Sequence, residues 1–476
     1  MSLKGKSTAK LFAVIRNGGK LSTAERVRLV VFLSVPAILT QVSNIAMEYI
    51  DASMVGHYGS VQAAAIGLVT TSTWLLWAFS SIFITGFTVQ VAHRIGANKF
   101  DEAKALVRQA VLVVFLAAAV LAAISIAIHT KLPVWLGGSE EIRSDASLYF
   151  LIVAGTIPVP ILGWLAAGLL RASGDVKTPS VISILMCVFN VIFNFLLIFP
   201  TRPVEIAGAA LTVPGAGLGV AGAALGTFFA EALSALLMYR ALLTRSPILS
   251  KDLLKGSFRP EARALKRALA IGVPVGSGNI LMTLGQIITI SIVAPLGTAP
   301  LAAHSLAISA EGLCYMPGYG VAEAATALTG QTIGAKRGRL ARELAYLSVA
   351  AGMGVMAVMG ALMFFGSEFM MRLLTNDPAV VALGASVLRI EAFAEPFFAA
   401  AIVCNGIFVG AGDTLKPVLI NLASMWALRI PASFFLAGAW GLKGVWIAMA
   451  SELCIRGTVF LARMKWGRWI RLDKID

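Results

Sequence analysis

Two stripes of polar residues interrupt apolar stretches in the amino-terminal half of this sequence. One stripe consists of Gln41, Asn44, Glu48 and Asp51, and the other of Ser183, Cys187, Asn190 and Asn194. Residues three or four positions apart share one face of a helix. Carboxylate and amide oxygens suit a hard cation, and a carboxylate can also bind a proton. We therefore expect two facing helices to form a polar chamber, with Asp51 as its charged centre and Asn190 and Asn194 as its partners.

The acids of the first stripe allow other interpretations. Asp51 can cap a loop at the end of its helix instead of binding an ion. Glu48 can share a proton with Asp51, or it can form hydrogen bonds to neighbouring helices. Because a charge inside a membrane is costly, either acid is expected to face the protein interior or a water-filled cavity.

The elements that carry these residues are predicted to be membrane-spanning helices. Apolar residues make up 58% of the 476 residues and charged residues only 13%, too little polar surface for soluble domains of this size. Runs of about 20 apolar residues, long enough to cross a bilayer as helices, recur along the chain. Twelve spans are predicted, at 29–54, 61–92, 107–128, 146–170, 180–199, 217–239, 268–294, 301–330, 344–366, 384–410, 417–438 and 440–462.

The formal net charge of +15 is distributed unevenly. Basic residues lie mainly in the loops after the second, fourth, sixth and eighth predicted spans and in both tails, which include Lys4, Lys6, Lys10, Lys465, Arg468 and Arg471. This pattern is typical of a multi-pass protein of a plasma (bacterial inner) membrane with both termini in the cytoplasm, and it does not require a nucleic-acid partner. Residues 1–28 are polar and basic, so we predict no cleavable signal.

The residue types that support catalysis are absent or scattered. The four cysteines, Cys187, Cys314, Cys404 and Cys454, lie within predicted spans without metal-ligand spacing and are interpreted as packing residues. The four histidines are dispersed, and no catalytic triad or phosphate-binding Walker loop is present. The sequence therefore predicts neither an enzyme nor a cofactor, and energy is expected from an ion gradient instead of ATP.

The chain contains an internal duplication. Matching residues lie 238 positions apart, as in the pairs Pro36 and Pro274, Gly59 and Gly297, Pro158 and Pro396, Gly174 and Gly412, and Asp175 and Asp413. The Gly-Asp pairs are interpreted as helix stops and restarts. The repeat predicts two halves of six spans in the same orientation. We expect a tail at 1–28, an N-lobe at 29–243, a linker at 244–262, a C-lobe at 263–463 and a basic tail at 464–476.

Several motifs resemble the multidrug and toxin extrusion family over essentially the whole chain, and most closely its DinF-like branch. They are Asp51–His57 at the end of the first span, Gly330–Ala335 at the end of the eighth, and the two Gly-Asp turns. The resemblance implies an all-α membrane fold with twelve helices in two pseudo-symmetric six-helix lobes around a central cleft. It also implies exchange of H⁺ or Na⁺ for organic, often cationic, drugs or metabolites by alternating access.

In the branch that this sequence resembles, a cation site in the first lobe uses an aspartate of the first helix. The resemblance carries this site over to Asp51, Asn190, Asn194 and Thr227, the last in the stretch Gly222–Thr227. Many relatives have an aspartate where this chain has Asn194. A bound Na⁺ would therefore be less fully neutralised here, which makes protonation of Asp51 alone an alternative to a site for Na⁺.

The second half carries a different set of polar residues. Its stripe of Asn279, Met282, Gln286 and Thr289 has no acid, so ion coupling is expected in the first half. Another branch of the family places acidic ligands where this chain has Met282 and Phe398, so a site of that type is not expected. Gln41, Asn44, Gln286, Glu311 and Glu395 are candidate residues of a substrate cleft. Alternatively, Arg429 pairs with one of the acids Glu311, Glu323, Glu391 and Glu395, while Glu231 and Glu452 pair with loop cations.

Three classes of function are compatible with these features. We expect an ion-coupled exporter of small organic cations or drugs that contacts membrane lipids, binds no nucleic acid and acts as a monomer. A flippase for lipid-linked precursors is the alternative within the same superfamily, and it predicts a basic cleft and more than twelve helices. A membrane-embedded enzyme or channel is the third class.

Overall fold

The computed structural model describes residues 8–206, 209–246, 248–250, 252–470 and 472. Lys4, Lys6 and Arg471 of the basic tails lie outside these residues. The helices are α1 (Thr8–Arg16), α2 (Thr23–Tyr58), α3 (Ser60–Gly96), α4 (Phe100–Ile128), α5 (Leu132–Trp135), α6 (Glu140–Thr156), α7 (Pro158–Ala172), α8 (Lys177–Ile198), α9 (Gly219–Thr244), α10 (Ala262–Val293), α11 (Thr298–Gly334), α12 (Gly338–Leu374), α13 (Pro378–Glu391), α14 (Glu395–Gly410), α15 (Leu415–Ala423) and α16 (Ile430–Trp466). A 3₁₀ turn (Ala294–Leu296) follows α10, a π-helical segment (Ser424–Arg429) joins α15 to α16, and strands β1 (Pro200–Ile206) and β2 (Ala209–Ala216) lie between α8 and α9.

Most of the long helices have the length and composition of membrane spans. Among the described residues, eight helical segments meet this test, and two bent pairs, α6 with α7 and α13 with α14, bring the number to ten. The bends measure 47° and 60°. Prolines stand in the first turns of α7 and α14, where a missing backbone N–H is tolerated and the preceding helix cannot continue. The prediction of an all-α membrane protein is confirmed.

The remaining predicted spans are found in α11 and in the segment 415–466. Helix α11 has 37 residues and contains the predicted eighth span. The segment 415–466 has 52 residues and contains the predicted eleventh and twelfth spans. Gly441 separates these two with φ 58° and ψ −139°, a backbone conformation that glycine adopts most readily. The described chain therefore accommodates all twelve predicted spans.

Several boundaries follow from local hydrogen bonds. Before α2, the Ser22 side chain accepts a bond from the Glu25 backbone N–H at 3.3 Å, and the Ser22 N–H donates to Glu25 Oε2 at 2.9 Å, which is a capping box. Gly174 and Gly412 have φ of 94° and 76°, and Asp175 Oδ1 accepts a bond from the Thr178 N–H at 3.0 Å at the start of α8. The two Gly-Asp turns are helix stops, as expected.

A β-hairpin lies between the fifth and sixth predicted spans, where no strand was predicted. Strands β1 and β2 pair antiparallel between α8 and α9. The prolines at 200, 203 and 214 hide the alternating pattern by which strands are normally recognised. This hairpin has no counterpart at the equivalent position of the second half, where 415–466 continues as helix apart from Gly441.

The chain divides into two compact units. Unit I consists of 43–91 and 100–269, and unit II of 1–42, 92–99 and 270–476, in both cases over the described residues. Helix α2 therefore contributes its first part to unit II and its second part to unit I. The predicted lobes at 29–243 and 263–463 follow the repeat instead of these units, and they remain a prediction.

Unit II contains a close crossing of α3 and α11 that reflects the repeat. A Cβ on Gly96 would lie 2.1 Å from the Gln331 carbonyl oxygen, and a Cβ on Gly334 would lie 2.2 Å from the His93 carbonyl oxygen. Gly96 and Gly334 are 238 positions apart, as are His93 and Gln331. The two halves thus contribute equivalent residues to this crossing, and only glycine lets the backbones approach so closely.

We expect Gly334→Val to destabilise unit II by about 1–3 kcal/mol, the usual cost of overpacking, because its side chain would clash with the backbone of α3. The measurement is the thermal unfolding of the purified protein in detergent. Gly354→Val is the matched control, because it adds the same side chain at a position where no atom lies within 4 Å of the added Cβ. Equal unfolding temperatures for the two variants would contradict the importance of this crossing.

Candidate ion-coupling site

Three helices of unit I meet around Asp51. Asp51 lies on α2, Asn190 and Asn194 lie one turn apart on α8, and Thr227 lies on α9. The Asn194 Nδ2 group donates to Asp51 Oδ1 at 2.7 Å and to Asn190 Oδ1 at 3.2 Å. The Asn190 Nδ2 group donates to Thr227 Oγ1 at 3.2 Å. One continuous hydrogen-bonded chain therefore joins the four residues that the sequence singled out.

The site is shielded within unit I. The exposed fractions of Asn190 and Asn194 are 0% and 1%, and Asp51 is half-buried. Beyond Asp51 on α2, Val55 packs with Ile198 of α8 and Ala223 of α9 in a small apolar cluster. Burial strengthens the hydrogen bonds and makes each unsatisfied polar atom costly.

Glycines of α9 allow the site to form. A Cβ on Gly226 would lie 2.0 Å from Asn194 Oδ1, and a Cβ on Gly222 would lie 2.4 Å from the Leu197 carbonyl oxygen. The two glycines are four positions apart, the small-residue spacing that lets spanning helices approach closely. The polar stripes did not indicate this role, although the spacing within the stretch Gly222–Thr227 was visible.

The donor set suits a proton or a monovalent cation. Asn194 Oδ1 is buried without a hydrogen-bond partner among the described residues, although its amide nitrogen makes two bonds. This orphaned oxygen, the Asn190 carbonyl, the Thr227 hydroxyl and the Asp51 carboxylate are all oxygen ligands, which a hard cation prefers. Asp51 is the acid of the set and is the group able to take up a proton.

The two polar stripes face each other over part of their length. Besides the contact between Asn194 and Asp51, Cys187 Sγ lies 3.3 Å from the Ser43 carbonyl oxygen. Asn44 Oδ1 is buried without a partner among the described residues, whereas Glu48 is exposed. Gln41 belongs to unit II and is half-buried. The structure therefore brings the chamber together from Ser43 to Asp51 but gives no hydrogen bond between Glu48 and Asp51.

The observed surroundings of Glu231 differ from the predicted ones. It was expected to pair with a loop cation, but the described residues give it no cationic partner. It lies on α9 one turn after Thr227, within electrostatic range of Asp51. A second carboxyl group thus stands near the site, which the sequence pattern did not indicate because Glu231 falls outside both stripes.

The polar residues predicted for the second half lie in unit II. Gln286 is exposed, while Glu311 and Glu395 are buried. The Arg429 Nε atom lies 3.2 Å from Glu452 Oε2. The expectation that Glu452 pairs with a loop cation is therefore wrong, because its partners, Arg429 and Arg456, are both inside the span 415–466. Arg429 likewise forms its ion pair with Glu452 and not with Glu311, Glu391 or Glu395.

The chain is similar to known transporters along nearly all of its length. A probable multidrug resistance protein NorM of Thermotoga maritima is 25% identical over 443 residues, covering 92% of each chain. A protein of the same name from Bacillus anthracis is 25% identical over 453 residues, covering 93% of this chain and 96% of its own.

Solved structures share the fold. One is described as the outward-facing conformation of a multidrug resistance MATE family transporter, with a TM-score of 0.86, 19% identity and 99% coverage of both chains. The Vibrio cholerae MATE transporter VcmN in its bent form gives a TM-score of 0.83 at 17% identity, covering 94% of this chain and 97% of its own.

The family assignment rests on the whole duplicated sequence. A family model described as MatE matches residues 36–196 and again 274–435. The two matches begin at Pro36 and Pro274, so they follow the internal repeat, while the DinF-like branch stays a prediction. Since the two matches together cover more than half of the chain, it belongs to the multidrug and toxin extrusion (MatE) family of membrane transporters.

Proposed function

We propose that this protein is a secondary active antiporter that exports organic, often cationic, drugs or metabolites in exchange for H⁺ or Na⁺. The observation that carries the proposal is the hydrogen-bonded chain from Asp51 through Asn194 and Asn190 to Thr227. A single acid linked to buried amides can change its bonding when it gains or loses an ion. The relatives named as multidrug resistance proteins support drugs as the cargo.

The geometry suggests how ion binding acts on the helices. An ionised Asp51 accepts the Asn194 amide N–H and so links α2 to α8. A proton or cation on Asp51 competes for the same oxygens and weakens this link. Because α2 contributes residues to both compact units, a change at Asp51 acts on a helix that the units share. A two-state change of this kind is what alternating access requires.

We propose a monomer in a bacterial inner membrane with both termini in the cytoplasm. The alternate distribution of basic loops supports this orientation. Organic cations are the favoured cargo, and membrane lipids surround the protein.

Transport by purified protein in liposomes tests the proposal directly. We expect efflux of a fluorescent cationic dye to follow an imposed pH gradient, an imposed Na⁺ gradient or both. Liposomes without protein, and liposomes with equal ion concentrations on both sides, are the controls. An efflux rate that is the same with and without each imposed gradient would contradict the antiport mechanism.

Asn194→Asp is expected to shift the ion preference toward Na⁺. The variant adds a carboxylate beside Asp51 and Asn190, and two carboxylates neutralise a bound Na⁺ more fully than one. The measurement compares the Na⁺ concentration that supports half-maximal dye efflux in the variant and in the parent protein. An unchanged or higher Na⁺ requirement in the variant would contradict a cation site at these residues.

A further inference from the structure

Unit II buries three carboxyl groups to which the proposed mechanism gives no role. Glu391 ends α13 and Glu395 begins α14, so both stand at the 60° break between these helices. Glu311 lies on α11, which packs against both α13 and α14. The exposed fractions are 0% for Glu391, 0% for Glu395 and 5% for Glu311. The three acids are close enough for their charges to interact.

Two of these acids have no partner for their oxygens. Both carboxyl oxygens of Glu391 and both of Glu395 are buried without a hydrogen-bond partner among the described residues. An ionised carboxylate in this condition is strongly unfavourable, because it loses its bound water and no other group replaces that water. Each group therefore requires either a nearby cation or a proton of its own.

The two nearby arginines, Arg429 and Arg456, already form ion pairs with another acid, Glu452. Glu452 lies between two buried arginines, with Arg429 Nε at 3.2 Å and Arg456 Nε at 3.1 Å from its oxygens. The Ser424 hydroxyl also donates to Glu452. The charge of Arg429 extends to Glu311 and Glu391 as well. We call the set Glu311, Glu391, Glu395, Arg429, Glu452 and Arg456 the acid–arginine cluster.

The charges in the acid–arginine cluster do not balance without protons. Arginine stays protonated in proteins, so the cluster contains two fixed positive charges. Glu452 balances one of them, and one of Glu311, Glu391 and Glu395 balances the other. Two of the three acids are then left without a counter-charge in a buried place. Cys314 and Tyr319 on α11 and Cys454 on α16 are also nearby and supply no positive charge. His304 on α11 lies within electrostatic range of Arg429, but its Nδ1 atom accepts the Trp446 Nε1–H at 3.1 Å, so its ring is neutral.

We propose that Glu311, Glu391 and Glu395 form a second proton-binding centre that holds two protons and exchanges them during transport. This proposal rests on the antiport function proposed above, and it adds a centre in unit II to the Asp51 site in unit I. It uses neither Met282 nor Phe398. Phe398 instead packs on the ring of Tyr315 at 5.4 Å.

The irregular backbone around the acid–arginine cluster suits a centre that changes state. Glu391 and Glu395 flank a helix break, and Arg429 ends the π-helical segment Ser424–Arg429. Helix breaks and π-helical turns are frequent at functional sites, because they can be rearranged without unfolding a whole helix. A rearrangement at either place alters the distance between the acids and Arg429, and with it the number of bound protons.

Infrared difference spectroscopy of the full-length protein in lipid nanodiscs tests this centre. Protonated carboxyl groups have a carbonyl-stretching band that ionised carboxylates and amides lack. We expect Glu391→Gln and Glu395→Gln each to lose part of this band, a part that Asp51→Asn retains. Glu368→Gln is the control, since Glu368 is an exposed acid paired with Arg372 at 2.6 Å. Binding of a transported dye should change the same part of the band in the parent protein.

The outcomes separate this proposal from the proposed function. The spectrum does not depend on transport, so a failure of gradient-driven efflux leaves the test of the centre intact. A full band in both glutamine variants would overturn the proposal, as would loss of the band on addition of Na⁺ at fixed pH. If dye binding leaves this part of the band unchanged, the protons are not exchanged during transport, and that part of the proposal is wrong. If Glu395→Gln does not fold, Glu395→Met removes the carboxyl group at similar volume and gives the same comparison.

Discussion

Asp51→Asn abolishes drug export while the protein still folds, which is the result that we expect from the first test of the ion-coupling site. The asparagine side chain keeps an oxygen that accepts the Asn194 amide N–H, so the 2.7 Å contact between α2 and α8 can persist. The same side chain carries no negative charge and cannot bind a proton or neutralise a cation. Export coupled to an ion should therefore stop, although the packing of unit I is conserved.

Two measurements establish this result. One is the drug resistance that the variant confers on a drug-sensitive host, and the other is dye efflux from liposomes under an imposed gradient. Asp101→Asn is the matched control, because Asp101 is an exposed aspartate of the same unit whose contact to Lys104 is 3.5 Å long. Such exposed ion pairs contribute little to stability. Full resistance with Asp51→Asn would remove Asp51 from the mechanism.

The sequence predicted which side chains meet around Asp51 because helical periodicity determines which face a residue occupies, while ion binding there stays a prediction. Asn190 and Asn194 share a face of α8 by their spacing alone, and the structure places that face toward Asp51. Thr227 came only from the family resemblance. Gly226 was missed as a determinant because periodicity concerns side chains, whereas the role of this glycine is the absence of one.

The partner of a buried charge was harder to predict than its position. Glu452 was expected to pair with a loop cation and Arg429 with another acid, whereas the structure joins the two at 3.2 Å. This contact depends on how the chain continues across the irregular segment around Ser424. Four acids were named for Arg429 by charge and depth, and Glu452 was not among them. The β-hairpin was missed for a related reason, since strand pairing joins residues whose local pattern is interrupted by prolines.

Gly226→Ala is expected to reduce export nearly as strongly as Asp51→Asn, although it adds only one methyl group. The added Cβ would lie 2.0 Å from Asn194 Oδ1, so the Asn194 side chain has to move. Movement breaks its bonds to Asp51 and Asn190. Stability should fall by about 1–3 kcal/mol, as for other overpacked sites. Gly67→Ala is the control, because it has no atom within 4 Å of the added Cβ, and alanine is the better helix former there.

A double-variant cycle separates the clash from the loss of function. If the methyl group acts by displacing the Asn194 side chain, Asn194→Ala should recover most of the stability lost in Gly226→Ala, because the clashing oxygen is gone. The same double variant should remain unable to export, because Asp51 has lost its amide donor. Recovery of both stability and export would show that Asn194 is only a packing residue. Recovery of neither would mean that the clash lies in the α8 backbone, where the added Cβ would be 3.0 Å from the Asn194 nitrogen.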